Sequence, residues 1–476
     1  MRTITFPAVH HFGRGWRLAL AVVVLATLTR LPSLVRTEPL NNDEAFLATE
    51  ANVLVHGGRM YEDVVDRKPP LVPYLVAAAQ WATGTTALLP LRVLALTAHI
   101  ATALLLAAIA RRRWGDQAAW LAALLYVCAS VGLNVTDAQA ASFEAFMLSF
   151  TAAAYLLAQR ERPLAAGVAS AGAALCKQVG GAVLAPVALL AWRAERRRGL
   201  ALVAIGFGVT VATVAAAVGW GSFWFWNVTT GWRYADPAGS GSVVLRAALY
   251  NTRDFVLGSA PLVVLAALGW RRRREEADLW LWLGASALGV AAGLHFFGHY
   301  YLQLLAPLTL LAASSASRFE LRLLRPAVAT TALIASTYTL GGFIASHPLL
   351  DPYGAIVAEV NQLTSPSDRI FVWGQFPQVY WASQREPATR FLTAGFLSGY
   401  SGGRTEAGVG PEHAVPGAWQ AFAADLSRHP PEVIVVTTGT GPAQLIRFPV
   451  VLALLRSDYH LAAYVDGVSI YQRINP

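Results

Sequence analysis

Long apolar runs alternate with short polar stretches along most of this chain, and many of the polar stretches are arginine-rich. The runs cover 16–34, 86–110, 118–133, 143–158, 164–176, 179–192, 200–218, 255–270, 279–295, 300–316 and 327–345. A helix needs roughly 20 apolar residues to cross a bilayer core, so this pattern predicts about eleven membrane spans. The piece at 72–82 is too short to cross and predicts an interfacial or re-entrant helix. The arginine clusters at 111–113, 160–162, 193–198, 271–274 and 318–325 test the layout. With the N-terminus in the cytoplasm, every cluster falls inside, as the positive-inside rule requires. The first run lacks a small-residue cleavage site and predicts a retained span rather than a cleaved signal. The loop 35–86, the hinge 134–142, Lys177, the Trp-rich loop 219–253, His299 and the tail then lie outside.

From residue 347 the pattern changes. Strand-like runs occur at 369–373, 431–436 and 463–471, the last containing the turn pair Asp466-Gly467. The run 433–436 suits a strand buried on both faces. Residues 356–363 and 419–426 are patterned as helices. The expected organisation is a mainly α membrane region, residues 1–346, followed by a small extracytoplasmic α/β domain, residues 347–476.

Composition agrees with that class. Of 476 residues, 55% are hydrophobic and 14% charged, where a soluble domain carries about 25% charge. The net charge of +9 comes largely from arginines at the ends of apolar runs, which set topology. No polar face interleaves basic and aromatic residues, so no nucleic-acid partner is expected. The two cysteines, Cys128 and Cys176, lie in apolar runs and imply no disulfide framework. Dinucleotide, Walker, Cys-x-x-Cys and His-Glu-x-x-His motifs are missing.

The candidate chemistry concentrates between Asn41 and Leu71. Asp43 and Glu44 open a helix-like run, where acids also suit the helix N-terminus. A carboxylate there could equally accept a proton from a hydroxyl, with or without a metal nearby. After Gly57, Gly58 and Tyr61 comes Asp66-Arg67-Lys68-Pro69-Pro70, in which the prolines fix the backbone behind a lysine suited to a phosphate or to anionic lipid. Ionisable groups at membrane depth are costly, which makes Asp137, Glu144, Lys177 and His299 further candidates. Asp137 and Glu144 are seven residues apart and would share a face if one helix carried both. Tyr300 follows His299 in an aromatic stretch that an interfacial belt would also explain. Trp224, Trp226, Trp232, Arg233 and Tyr234 suit either a lipid interface or a sugar platform.

These residues resemble the bacterial GT-C glycosyltransferases related to protein O-mannosyltransferases and lipid A aminoarabinose transferases. The likeness rests on Asp43-Glu44, Gly57 to Tyr61 with Asp63, and Asp66 to Leu71, and extends to His299 through Gln303, Pro307, Trp373-Gly374, Pro377 and Tyr380. It implies a GT-C bundle and transfer of a sugar from a polyprenyl-phosphate donor to an acceptor on the outer face, with inversion. By the resemblance Asp43 is the catalytic base and Glu144 a second acid near the pocket; Glu44, beside Asp43, is a further catalytic candidate from its position alone. The resemblance also implies that Lys68 contacts the donor phosphate, with His299 and Tyr300 on the phosphate side; Arg67 adds positive charge there, and Tyr61, Asp137 and Lys177 are candidates for substrate binding. The aminoarabinose transferases carry a glutamate where Arg67 stands, and that glutamate can contribute to a metal site. A divalent cation therefore stays open here, and no other cofactor is implied. The acceptor is a glycan, lipid or protein. A transporter or flippase of lipid-linked sugar is the rival from another class, and an outward-facing polymer-binding protein a third.

Overall fold

The structure, a computed structural model, describes residues 12–231, 241–345, 353–400, 408–437 and 443–474. It is mainly helical, with one small sheet near the C-terminus. Among the described residues, three helices are long and apolar enough to cross a membrane: Leu88–Trp114, Gln178–Ala217 and Arg322–Ile344. Five shorter apolar helices accompany them: Gly15–Thr29, Asp116–Ala129, Phe143–Gln159, Pro163–Cys176 and Ala277–Ala291. The expected count of about eleven is thus not reproduced by length and composition, because several runs are broken. The runs 179–192 and 200–218 fall in one stretch interrupted at Glu195 and Arg196, where Arg196 has φ 54°. Gly199 there comes so close to Ala191 that an added Cβ would lie 2.4 Å from the Ala191 carbonyl. In a continuous helix those residues would be about 12 Å apart along the axis, so the chain doubles back. The run 255–270 is likewise divided, between Gly241–Gly258 and Ala260–Leu268.

Helix Leu88–Trp114 links two polar ends. Arg111, Arg112 and Arg113 occupy its last turn, where cations complement the helix dipole, and Gly115 terminates it at φ 86°. Arg113 meets Asp278 at 2.7 Å and Glu276 at 2.9 Å, and Arg318 also approaches Glu276. Twenty-one residues back, about 31 Å along the axis, Arg92 lies under the loop that carries Asp43.

That loop contains two helices, Asn42–Val55 and Leu71–Thr83. The second starts directly after Pro69-Pro70, and Pro70 is its N-cap residue. Its inner face, Val72, Val76 and Gln80, packs toward the first helix, and the Gln80 amide donates to the Ala48 carbonyl at 3.2 Å. Tyr74 and Trp81 face outward. This is the short helix expected at 72–82.

Near the C-terminus, five strands order as β2-β1-β3-β5-β4. β1 (Arg369–Trp373) runs parallel to β2 (Glu386–Pro387) and to β3 (Val433–Val436). β5 (Val468–Arg473) is antiparallel to β3 and to β4 (Tyr459–Val465). Asp466 and Gly467, at φ 48° and 84°, turn the hairpin in the left-handed region that a two-residue turn demands. β3 lies between β1 and β5, and all four of its residues are buried. The apolar core under the sheet is not confined to the tail. Met60, Tyr61, Val64 and Val65 from the 35–86 loop join Ile370, Phe391 and Phe448, as do Phe223 and Trp226. The Val65 amide also donates to the Arg390 carbonyl at 3.1 Å. The motif stretch is therefore held between helices and sheet.

Candidate active site

Asp43 sits in the first turn of Asn42–Val55. The Asn41 side chain caps that turn by accepting from the Glu44 amide at 3.2 Å, as short polar residues do at helix starts. Behind the turn, Glu44 is fully buried and ion-paired with Arg92 at 2.8 Å. Its oxygens also accept from the Leu40 and Ala141 amides. Arg92 donates in addition to the carbonyls of Ser33, Arg36 and Glu38. Glu44 thus holds its own loop and faces away from Asp43.

The Asp43 carboxylate is 28% exposed and has a basic side chain beside each oxygen. Lys68 Nζ lies 3.4 Å from Oδ1, and His299 Nε2 lies 3.8 Å from Oδ2. Burial pushes this carboxyl up, but Lys68, His299 and Lys177 outweigh it and hold it down at about 2. Lys68 is fixed from two sides. Its ammonium lies 4.1 Å from the centre of the Phe143 ring, and its carbonyl accepts from the Tyr61 hydroxyl at 3.0 Å. Tyr61 itself takes φ 71° and accepts from the Asn227 amide at 2.9 Å. Arg67 lies over the Phe396 ring at 4.5 Å and donates to the Gly395 carbonyl at 3.4 Å, which ties the motif to the tail. Gln178 donates to the Arg67 carbonyl at 2.6 Å.

His299 is buried, in the short turn Gly298–Tyr301. Its ring stacks on Phe297, and Asp137 lies 3.3 Å from Nδ1. Lys177 follows the helix Pro163–Cys176, pairs with Glu144 and lies 3.8 Å from the Tyr300 ring centre.

These groups surround a cavity of about 750 Å³. Asp43, Arg67, Lys68, Asp137, Lys177, His299 and Tyr300 line it. Glu44, Glu144 and Tyr61 are not among its wall residues; Glu144 acts on the wall through Lys177, and Tyr61 through Lys68. Asp137 and Glu144 do not share a helix face: Asp137 is on the short helix Val135–Gln139, and the chain breaks before Phe143–Gln159. Trp226 is neither at an interface nor a platform. It is buried in the core, edge-on to Phe396, while Trp224 is exposed. Trp232, Arg233 and Tyr234 lie outside the described residues.

Several participants were not anticipated. Gln375, Thr393, Phe396 and Tyr400 of the tail line the cavity on its sheet side, and the Asn42 amide donates to the Gln375 carbonyl at 3.2 Å. No local motif marks these tail residues; they become neighbours only through the fold. Arg92 did carry a signal, as a lone arginine inside the apolar run 86–110. Glu50 is fully buried near Asp66, and neither of its carboxyl oxygens has a hydrogen-bond partner. Its signal is spacing, seven residues after Asp43. Among the described residues no group of three or more Asp, Glu, His or Cys is placed to hold a metal ion. The nearest charged neighbours of Asp43 are cations, so the donor set does not fit a divalent ion.

No protein-family model matches the chain, nor does any curated protein by sequence. Solved structures do match in fold. ArnT from Cupriavidus metallidurans, bound to undecaprenyl phosphate, superposes with a TM-score of 0.64 at 14% identity, over 97% of this chain and 98% of that one. The oligosaccharyltransferase of Archaeoglobus fulgidus in its apo form gives 0.56 at 14% identity, over 89% and 69%. The archaeal oligosaccharyltransferase AglB from Archaeoglobus fulgidus, in complex with an inhibitory peptide and a dolichol-phosphate, gives 0.57 at 13%, over 90% and 70%. The chain shares the fold of these proteins.

Proposed function

We propose that this chain is a membrane glycosyltransferase that moves a sugar from a polyprenyl-phosphate donor to an acceptor hydroxyl on the outer face of the membrane, with inversion. One observation carries the reading: the Asp43 carboxylate and the Lys68 ammonium stand 3.4 Å apart in the wall of one cavity. The fold supports the donor class, since one neighbour binds undecaprenyl phosphate and another a dolichol-phosphate. The arginine-rich loops are assigned to the cytoplasm, and residues 347–476 to an outer domain that roofs the cavity.

In this mechanism the acceptor hydroxyl approaches Asp43, which is ionised at neutral pH. As the hydroxyl oxygen attacks the anomeric carbon, its proton passes to Asp43. The new carbon–oxygen bond forms on the face opposite the phosphate. The bond to the phosphate oxygen breaks, and its electron pair stays on the leaving group. Lys68, Arg67 and His299 receive that charge, the kind of preorganised stabilisation that contributes most to many enzymes. The phosphate also competes with Asp43 for Lys68. Donor binding therefore weakens a contact that holds Asp43 acidic and makes it a better base. No step passes through a metal.

The test is transfer by the purified chain in lipid nanodiscs, with a panel of radiolabelled polyprenyl-phosphate sugars and lipid, peptide and glycan acceptors. Wild type transfers label from at least one donor, and Asp43→Asn transfers it roughly 10²–10⁴-fold more slowly. Equal rates for the two proteins would remove Asp43 from the role.

A further inference from the structure

The wall of the cavity contains two carboxylates that the mechanism above does not use, Asp66 and Asp137, and Asp137 is the one that meets His299. We propose that Asp137 is a positioning residue that keeps His299 as an imidazolium, with its Nε2–H directed at Asp43 and the cavity. The kinetic part of this inference rests on the proposed transfer reaction.

Asp137 holds His299 at two points. Its Oδ1 lies 3.3 Å from His299 Nδ1, and its Oδ2 accepts from the His299 backbone amide at 3.3 Å. The Nδ1 contact is within hydrogen-bond reach of the carboxylate although not well aligned. A carboxylate beside each ring nitrogen, Asp137 at Nδ1 and Asp43 at Nε2, favours a proton on both. Backbone and ring can both reach one carboxylate because residue 298 is glycine: an added Cβ would lie 2.8 Å from Asp137 Oδ2. Asp137 Oδ1 also accepts from the Asn41 amide at 3.5 Å. Asn41 caps the helix that carries Asp43, so one carboxylate links the His299 turn to the Asp43 turn. Phe297 stacks on the imidazole and Tyr300 meets it edge-on, which leaves Nε2 facing Asp43.

The charged surroundings favour the same state. Asp137, Asp43 and Glu144 act on the ring from three separate helices. Lys68 and Lys177 line the same cavity and oppose them, and Arg253 and Asp254 on the adjoining helix Gly241–Gly258 pair with each other. Burial pushes the imidazole down, but Asp137 first, then Glu144 and Asp43, lift it above its ordinary value. A group raised in this way is charged at low pH and loses its proton as pH rises through the lifted value. Activity that needs the imidazolium therefore falls on the alkaline side, and removing Asp137 moves that fall to lower pH.

Two measurements test this on the full chain in nanodiscs. The first is NMR titration of histidine labelled with ¹³C at Cε1, in wild type and Asp137→Asn, with His299→Gln to assign the signal. It needs no turnover, so its outcome is separable from the transferase reading. The His299 signal should titrate above the free-histidine range in wild type and at clearly lower pH in Asp137→Asn. An unchanged midpoint overturns the proposal. The second is the pH profile of transfer. Asp137→Asn should retain most of its rate on the acidic side and lose activity at a lower pH than wild type as pH rises. Asp137→Glu should restore part of the alkaline range. A uniform loss at every pH would make Asp137 a structural residue. Movement of the acidic limb instead would make His299 a neutral base. Either result ends the proposal.

Discussion

Asp43 and Glu44 are neighbours in sequence and both are acids, yet the fold treats them in opposite ways. Glu44 points into the helices. It is fully buried, meets Arg92 at 2.8 Å and accepts two backbone amides. Asp43 points into the cavity, and its two basic neighbours, Lys68 and His299, stand off at 3.4 and 3.8 Å. The far end of helix Leu88–Trp114 repeats the first arrangement, with Arg113 at 2.7 and 2.9 Å from two acids. Short, saturated ion pairs hold the helices together. The long pairs of Asp43 leave room for a substrate oxygen to enter between the partners, whereas Lys177, also on the cavity wall, is held by a short pair to Glu144. The distinction lies in geometry and saturation, not in residue type.

The comparison breaks most sharply if the two sites exchange phenotypes. Asp43→Asn carries the largest expected effect, the loss of transfer described above, with thermal stability near that of wild type. Arg92→Ala carries the next. It leaves Glu44 buried without its partner and frees three backbone carbonyl contacts, which should cost about 3–5 kcal/mol of stability. Thermal unfolding in detergent would show this as a large fall in the midpoint. A stable Arg92→Ala protein that is merely inactive would place the pair in the chemistry rather than behind it.

Lys68→Ala sharpens the cavity side. A charged hydrogen bond to a phosphate contributes about 1.5–3 kcal/mol, so the KM for donor should rise roughly tenfold to a hundredfold. The KM for acceptor should stay close to the wild-type value. A selective rise for acceptor would reverse the assigned ends of the cavity.

Part of this arrangement was legible in the sequence. The Asp43 and Lys68 stretch stood out because acids, a lysine and a proline pair interrupt apolar runs, and such groups at membrane depth need a reason. The strands followed from their β-branched residues and the Asp466-Gly467 turn. What could not be read was which way adjacent side chains point. Glu44 and Asp43 differ by one position, about 100° around a helix, and only packing decides which meets Arg92. The shared helix face expected for Asp137 and Glu144 failed for a local reason. The chain breaks at Ala140 to Ser142, so the seven-residue spacing has no helix to act through. The tail residues of the cavity wall, Gln375 and Tyr400, lie more than 300 residues from Asp43, and no pattern of local spacing reports such a contact.

Glu50 supplies the smallest effect and the finest contrast with Glu44. Both lie on Asn42–Val55 and both are fully buried. Glu44 has an arginine, whereas neither oxygen of Glu50 has a hydrogen-bond partner and Asp66 adds like charge beside it. Burial first, and then Asp66, push the Glu50 carboxyl well above its ordinary 4.5. The folded chain therefore holds this proton more tightly than the unfolded chain does. The contribution to stability is fully present below pH 4.5 and is lost as pH rises toward the lifted value. Glu50→Gln removes that titration and offers an amide donor to the unpartnered Asp66 Oδ2. The substitution should leave stability almost unchanged near pH 4.5 and raise it at pH 8 by on the order of 1 kcal/mol. Unfolding midpoints of both proteins across that range check the sign. A gain that is the same at every pH would mean that Glu50 is already ionised, and that it has found in the folded chain the cationic partner Glu44 has in Arg92.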